Sequence, residues 1–323
     1  MKAAVYRGPH RIQIENVPRP KPSKEEALVE FKAGSICGTD LHFYRGEWTR
    51  IRKGQIIGHD ACGKRTDTGE RVAMTPTITC GSCYYCLHGK PRLCENSKFM
   101  GMEKDGFFAE FIAMPVKNLV PIPENVTDEE AAILEPAALA IDTLNFLNPT
   151  LRDWVTIIGQ GPIGLLMTQI AKLKGCQVIA IDLHDYRLKL SEKYGADICI
   201  NAKQETPAKT VKKITKIGSD IVIETAGTKQ TVEQTPFLVR SAGKVALIGE
   251  SEGYLNLGNA AEALFSAIYV TSTHYPLALN LISENIIDVK TLITHRFKLV
   301  DFEHAIQTAG DFAEKPVKIV IST

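Results

Sequence analysis

Several things are scarce in this 323-residue sequence, and each scarcity removes a class of function. No apolar run approaches the ~18–20 residues a membrane-spanning helix needs, and the opening MKAAVYRGPHRIQIE lacks the apolar stretch of a secretion signal. Net charge is only +1 and no block of basic residues occurs, so neither nucleic acid nor a membrane surface is expected as a partner. Internal repeats and low-complexity segments are absent as well. The default expectation is therefore a cytoplasmic protein, where clustered thiols serve as metal ligands more readily than as disulfides. What remains is ordinary globular composition, 44% hydrophobic and 23% charged, with length enough for two domains.

The organising stretch is Trp154 to Asp182, WVTIIGQGPIGLLMTQIAKLKGCQVIAID. Trp154–Ile158 reads as a buried strand. Gly159, Gly161 and Gly164 follow in the pattern G-x-G-x-x-G, with Pro162 and Ile163 inside it. An apolar-periodic helix over residues 162–174 stops at Gly175, and a second strand ends on Asp182. Gly159 serves a tight turn, Gly161 lets the backbone approach a pyrophosphate, and Gly164 lets helix and strand pack closely. The helix N-terminus offers free N–H groups to the phosphates. Asp182 stands where a carboxylate accepts from the ribose hydroxyls of NAD and repels a 2′-phosphate. Arg187, five residues on and in the expected next helix, is the cation that bears on this choice and joins the predicted cofactor site.

Before this stretch the chain reads as β-rich, with short runs at Ala3–Tyr6, Arg11–Asn16, Ala27–Ala33 and Arg71–Met74, then helices over Asp128–Leu134 and Ala137–Leu147 broken by Pro136. From Trp154 strands are expected near 154–158, 177–181, 198–201, 220–224, 244–248 and 268–272, with helical runs between. Six strands with helical crossovers predict a doubly wound parallel sheet in an α/β protein. A last helix is expected over Asp301–Ala309. The terminal VKIVI has no helix to pair it with that sheet, so it is expected to return to the first domain. The predicted division is 1–137 with 293–323, and 138–292 for NAD.

Cys80, Cys83, Cys86 and Cys94 have the spacing C-x2-C-x2-C-x7-C in a segment too short and polar to hold itself together. Four thiolates close a tetrahedron around Zn²⁺ and leave no open position, which marks a structural site. A second set is dispersed: Cys37 in ICGTD, His59 in GHD and Glu135 in LEP. With a nicotinamide cofactor these acquire a common logic, since a catalytic zinc takes three protein ligands and an open position, and stabilises an alcohol oxygen as it becomes alkoxide-like.

Taken in order, KAAVYRGP, CGTDLH, GHD, the four-cysteine lobe, DGFFAEF, LEP, GQGPIG and LITHRF resemble the zinc-dependent medium-chain alcohol dehydrogenases, in the branch of polyol (sorbitol-type) and threonine dehydrogenases. The resemblance covers essentially the whole chain. It implies a GroES-like β-rich catalytic domain plus a six-stranded Rossmann domain, NAD, two zinc ions per chain and a homo-oligomer, a tetramer or dimer. It matches Cys37 and His59 to catalytic zinc ligands, Glu135 to an acid at or beside the metal, and Asp40 to an acid that orients the ligand histidine. Thr39 and His42 match a relay that carries the alcohol proton to solvent. Phe43, Trp48 and Arg296 are assigned to the substrate. Members usually carry Glu after the ligand histidine. Asp60 is one methylene shorter, so coordination by Asp60 and by Glu135 both stay open. The segment 61–68 is shorter than usual, Asp142 stands where a histidine is common, and Phe297 replaces a tyrosine of polyol members.

The expected function is hydride transfer between NAD and a secondary alcohol: a polyol, sugar or sugar phosphate. L-threonine 3-dehydrogenase is the alternative. A zinc-lobe module for nucleic acid has only Lys90 and Arg92 in the lobe to work with. A non-catalytic NAD-binding relative would be expected to have lost Cys37, His59 or Glu135.

Overall fold

In the computed structural model, residues 1–249, 264–267 and 274–323 are described, the short stretch 264–267 by its backbone path alone. The chain forms two compact units, Met1–Ala138 with Val270–Thr323, and Leu139–Tyr269.

The first unit is built on a seven-stranded sheet. Its spatial order is Ile293–Lys298, Lys318–Ser322, Glu26–Ser35, Ala61–Arg65, Arg71–Met74 and Leu119–Pro121, with Phe111–Pro115 paired to the first half of Glu26–Ser35. The long strand alternates buried and half-buried residues along EALVEFKAGS, as a strand with one face in a core must. That core gathers Phe31, Phe43, Phe107, Phe108 and Phe302, each at most 1% exposed. Burying one such ring contributes about 1.5–3 kcal/mol, and together they set a rigid floor beneath the loops that carry function. The terminal strand does return: Lys318–Ser322 runs antiparallel to Glu26–Ser35, with Val320 opposite Ser35, and parallel to Ile293–Lys298.

The second unit is the expected doubly wound sheet. Its order is Ile198–Asn201, Gln177–Asp182, Trp154–Ile158, Ser219–Glu224, Val239–Leu247 and Leu264–Ala267, every pair parallel. The order reverses beside Trp154–Ile158, and such a reversal opens a ligand crevice at the carboxyl ends of the flanking strands. Gly159 sits there with φ +90°, and a Cβ on Gly164 would lie 1.9 Å from the Gly159 carbonyl oxygen. Neither position accepts a side chain.

Three sequence expectations need amendment. Pro136 does not break a helix: it lies in the first turn of Leu134–Leu147, where a missing N–H removes no intrahelical bond. The strand expected at 268–272 falls outside the described residues; the sixth strand described is Leu264–Ala267. The second boundary falls at Val270 rather than 293. The helix Tyr275–Ser283 belongs to the first unit, tied to it by Ser283, whose hydroxyl donates to Asn125 Oδ1 at 2.8 Å and whose carbonyl accepts from Asn125 Nδ2 at 2.8 Å. An amphipathic helix declares that it has a buried face, and not which core that face joins.

Candidate active site

Cys37 ends the long strand's exit loop and caps the helix Gly38–Arg45. Asp40 turns back so that its Oδ2 accepts from the Cys37 N–H at 2.9 Å, which fixes the thiol at the helix start. His59 and Asp60 lie on the loop before the strand Ala61–Arg65, with 4% and 2% exposure. One ligand atom from each of Cys37, His59 and Asp60 lies within 4.8 Å of the others, so two segments separated in sequence converge. Glu135 is outside this group but close enough to act on it. Desolvation first, then the Asp60 carboxylate, raises its carboxyl to about 7, against the opposing pull of His59 and Lys318.

A buried cation completes the cluster. Lys318, 3% exposed on the terminal strand, donates to Asp60 Oδ2 and to the Ile36 carbonyl, both at 3.1 Å. The Ser35 hydroxyl donates to the Ala132 carbonyl at 2.8 Å and lies 3.2 Å from the same Oδ2. Burial, the largest influence on Lys318, favours the neutral amine, yet Asp60, Cys37 and Glu135 outweigh it and the net shift is upward. Sequence reasoning passed over Lys318; the one signal was a lone cation inside the apolar run KIVIS.

The donor set fits zinc. Asp60 Oδ1 is buried, has no hydrogen-bond partner among the described residues and sits 3.8 Å from His59 Nε2. An orphaned carboxylate oxygen facing an imidazole and a thiol is an unmet acceptor that a cation satisfies. In the described structure burial, the largest influence, pulls His59 down, but Cys37, Asp60 and Asp40 carry it well above its ordinary value. The negative field around the histidine is thus strong enough to hold a positive charge.

The four cysteines of the lobe also converge, with their sulfurs all within 4.8 Å, and all eight cysteines are free of disulfides. Cys94 Sγ approaches Cys80 Sγ at 3.5 Å and Cys86 Sγ at 4.0 Å from Cys80 completes the cluster. Backbone N–H groups of Ser82 and Cys83 point at Cys80 Sγ from 3.5 and 3.3 Å and lower that thiol to about 5, the direction metal ligation requires.

Of the predicted relay, Thr39 Oγ1 lies 3.8 Å from Cys37 Sγ. His42, half-buried, stacks on Trp48 at 4.5 Å and engages Glu47 through Nδ1 at 2.5 Å, leaving Nε2 as its other nitrogen. Two substrate assignments are not supported. Phe43 is 1% exposed and packs edge-on against Trp48 within the core, because the helix Gly38–Arg45 turns Asp40 and Phe43 inward together. Arg296 lies on the exposed side of the strand Ile293–Lys298, and its Nε donates to both Glu129 carboxylate oxygens at 3.0 and 2.9 Å. In this structure the expected substrate arginine is engaged in an ion pair with Glu129.

In the second unit the helix Pro162–Leu173 starts at Gly161, with Pro162 as its first residue and Ile163 in its first turn. Asp182, 7% exposed, accepts from the backbone N–H of Gln160 at 2.6 Å and of His184 at 2.9 Å, while Arg187 Nη1 stands 3.9 Å away. The acid and the glycine turn are thereby one construction. Gln160 strengthens it: its Oε1 accepts from Thr168 at 3.1 Å and Ser191 at 2.9 Å, and its Nε2 donates to the Ile157 carbonyl at 3.1 Å. Thr225 adds another tie, 2.8 Å from the Gly159 carbonyl oxygen. The open turn, free helix N-terminus and fixed acid fit a dinucleotide.

Comparison with known proteins agrees. Residues 23–124 match the alcohol dehydrogenase GroES-like domain and residues 162–284 the zinc-binding dehydrogenase domain. An L-threonine 3-dehydrogenase of Pyrococcus furiosus is 34% identical over 91% of both chains, and a sorbitol dehydrogenase of Bacillus subtilis 31% identical over 99% of this chain and 97% of its own. An Escherichia coli alcohol dehydrogenase solved with NADH superposes with a TM-score of 0.90 at 30% identity, covering 100% of this chain and 99% of that one. With its converging ligand sets and its dinucleotide turn, the chain belongs to the zinc-dependent medium-chain alcohol dehydrogenase family.

Proposed function

We propose that the chain oxidises a secondary hydroxyl of a polyol, sugar or sugar phosphate, with Cys37 and His59 and an acid, Asp60 or Glu135, holding the catalytic zinc. The observation that carries this reading is the buried convergence of Cys37, His59 and Asp60 around an unsatisfied Asp60 oxygen. When bound, zinc withdraws charge from the alcohol oxygen and NAD accepts the hydride. Gly161 leaves room for the cofactor's phosphates, Gly159 and Gly164 shape the turn and its packing, and Asp182 receives the ribose hydroxyls. Thr39 and His42 move the hydroxyl proton outward, the imidazole being half-buried and suited to hand it to solvent. Lys318 holds Asp60 in place through a hydrogen bond to its Oδ2. The four-cysteine lobe holds a second, structural zinc.

L-threonine is the second substrate reading, and the 34% identical Pyrococcus relative favours it. It demands charged partners for an ammonium and a carboxylate, and Arg296, the cation expected near the substrate, is already engaged by Glu129. Eight free thiols agree with residence in the cytoplasm, and the family resemblance extends the proposal to a homo-oligomer. Purified zinc-loaded enzyme with NAD and with NADP, offered sorbitol, other polyols, sugar phosphates and L-threonine, tests the reading. A higher kcat/KM for polyols than for threonine, and for NAD than for NADP, is expected. Turnover of threonine alone would replace the polyol assignment.

A further inference from the structure

Glu224 ends the strand Ser219–Glu224, beside the point where the strand order of the second unit reverses, and it is 0% exposed. Its Oε1 accepts from two successive backbone N–H groups, Ala226 at 2.8 Å and Gly227 at 2.9 Å, and Gly227 has a left-handed φ of 66° that glycine adopts without strain. Its Oε2 is buried and has no partner among the described residues. A carboxyl group buried with one oxygen unpaired costs stability, so its presence calls for a reason.

The turn that Glu224 holds lies directly against the glycine turn. Thr225 Oγ1 donates to the Ile158 and Gly159 carbonyls at 3.0 and 2.8 Å, and a Cβ on Gly159 would lie 2.9 Å from the Ala226 nitrogen. On the other side the Glu224 carbonyl accepts from the Ile248 and Gly249 N–H groups at 2.8 and 3.1 Å. A Cβ on Gly249 would lie 2.2 Å from the Gly227 nitrogen and 2.7 Å from Glu224 Oε2. The ends of three neighbouring strands, at Ile158, Glu224 and Leu247, thus meet around one acid. A dinucleotide lies across such a reversal with one nucleotide over each half of the sheet. Asp182 belongs to the half that takes the adenosine ribose, so the turn 225–227 borders the half left for the nicotinamide.

We infer that Glu224 is a positioning residue for the cofactor: by holding the turn 225–227 against the glycine turn it shapes the wall of the crevice that receives the nicotinamide half of NAD. The inference rests on the assignment of Gly159, Gly161, Gly164 and Asp182 to the dinucleotide. It goes further in giving a buried acid the task of setting how tightly one half of the cofactor is held. Removing that acid should split affinity between the two halves, whereas a general loosening of the unit weakens both.

The test compares wild type with Glu224→Met, of similar length but without the acceptor, and Glu224→Gln, which keeps one. The zinc-loaded enzymes are titrated with NADH, followed by its fluorescence, and with AMP, which carries only the adenosine half, followed by calorimetry. In Glu224→Met the Kd for NADH should rise ~10-fold or more with the Kd for AMP within ~2-fold of wild type, and Glu224→Gln should restore NADH affinity to within ~3-fold. If Glu224→Met does not fold, Thr225→Val carries the same test, because it cuts the tie to Gly159 and leaves the buried acid alone. NADH should then weaken by ~3-fold or more with AMP unchanged. Equal losses of NADH and AMP would overturn the inference, since the acid would then be supporting the unit as a whole. Unchanged NADH affinity in the acceptor-free variant would overturn it too, and so would a loss in Glu224→Gln as large as in Glu224→Met. Asp182→Ala separates this from the site itself: if it binds AMP as wild type does, the dinucleotide assignment is wrong and the inference falls with it.

Discussion

The two ligand clusters of the first unit arrive at a set of converging metal-ligand atoms by opposite routes. The lobe is local: four cysteines within Cys80–Cys94, short turns, largely exposed surroundings such as Tyr84, Leu87 and Leu93, and no core of its own. The other cluster is tertiary, with Cys37, His59 and Asp60 brought from separate loops onto a finished sheet and buried beside Lys318. A local cluster borrows its stability from the metal. A tertiary cluster borrows its geometry from the fold and must carry its own counter-charge when the metal is away.

That difference can be broken most forcefully at the sulfurs. Cys83→Ser should drop zinc content from two to one per chain and leave residues 80–94 open to limited proteolysis, since structural zinc supplies about 10–16 kcal/mol of binding energy in comparable small sites. Cys37→Ser should do the reverse, with kcat/KM down by on the order of 10³-fold while Tm moves little. Equal loss of stability in both variants would erase the distinction. Next in size is Lys318→Met, which strands the Asp60 charge in the interior. It should destabilise the metal-stripped protein by about 3–5 kcal/mol in urea unfolding, and less once zinc is restored.

Glu224 sharpens the contrast, as a buried acid with no cation paired to it among the described residues. It is 0% exposed at the end of the strand Ser219–Glu224 and its Oε1 accepts from the Ala226 and Gly227 N–H groups at 2.8 and 2.9 Å. Burial raises its carboxyl above the ordinary 4.5, with Thr231 and those N–H groups opposing. A raised acid contributes stability that is complete below its unfolded value and is lost as pH climbs through the folded one. Glu224→Gln keeps the acceptor and removes the titration. Its Tm advantage over wild type should be near zero at about pH 4 and grow to on the order of a few °C by about pH 8. The smallest effect belongs to Arg296→Ala. An exposed ion pair with Glu129 predicts kcat/KM on sorbitol within about 2-fold of wild type; a larger loss would reinstate Arg296 at the substrate.

Legibility in the sequence followed the same division. The dinucleotide turn and the cysteine lobe were readable because each is written in consecutive residues: Gly159 to Gly164, Cys80 to Cys94. The six-stranded sheet was readable from alternation, and the homing of Lys318–Ser322 from its lack of a crossover helix. Cys37, His59 and Glu135 needed a family resemblance to be joined at all. Phe43 and Arg296 show what a position alone leaves open, since it does not say which way a helix or an edge strand turns its side chains. Lys318 was missed because its significance lies in what surrounds it. A lysine in an apolar strand is only a hint until Asp60 is found beside it.

The discontinuity of the first unit also orders events in time. Residues 80–94 can emerge from the ribosome, fold around a metal and be finished while the second unit is still being made. The Cys37–His59–Asp60 centre cannot, because the strand that delivers Lys318 follows the second unit along the chain and pairs with a strand that precedes it. At about 5–20 residues per second the two sites mature on the order of ten seconds or more apart. A nascent chain therefore carries a completed lobe and an unfinished reaction centre, and any metal that enters the latter early meets Asp60 without its lysine.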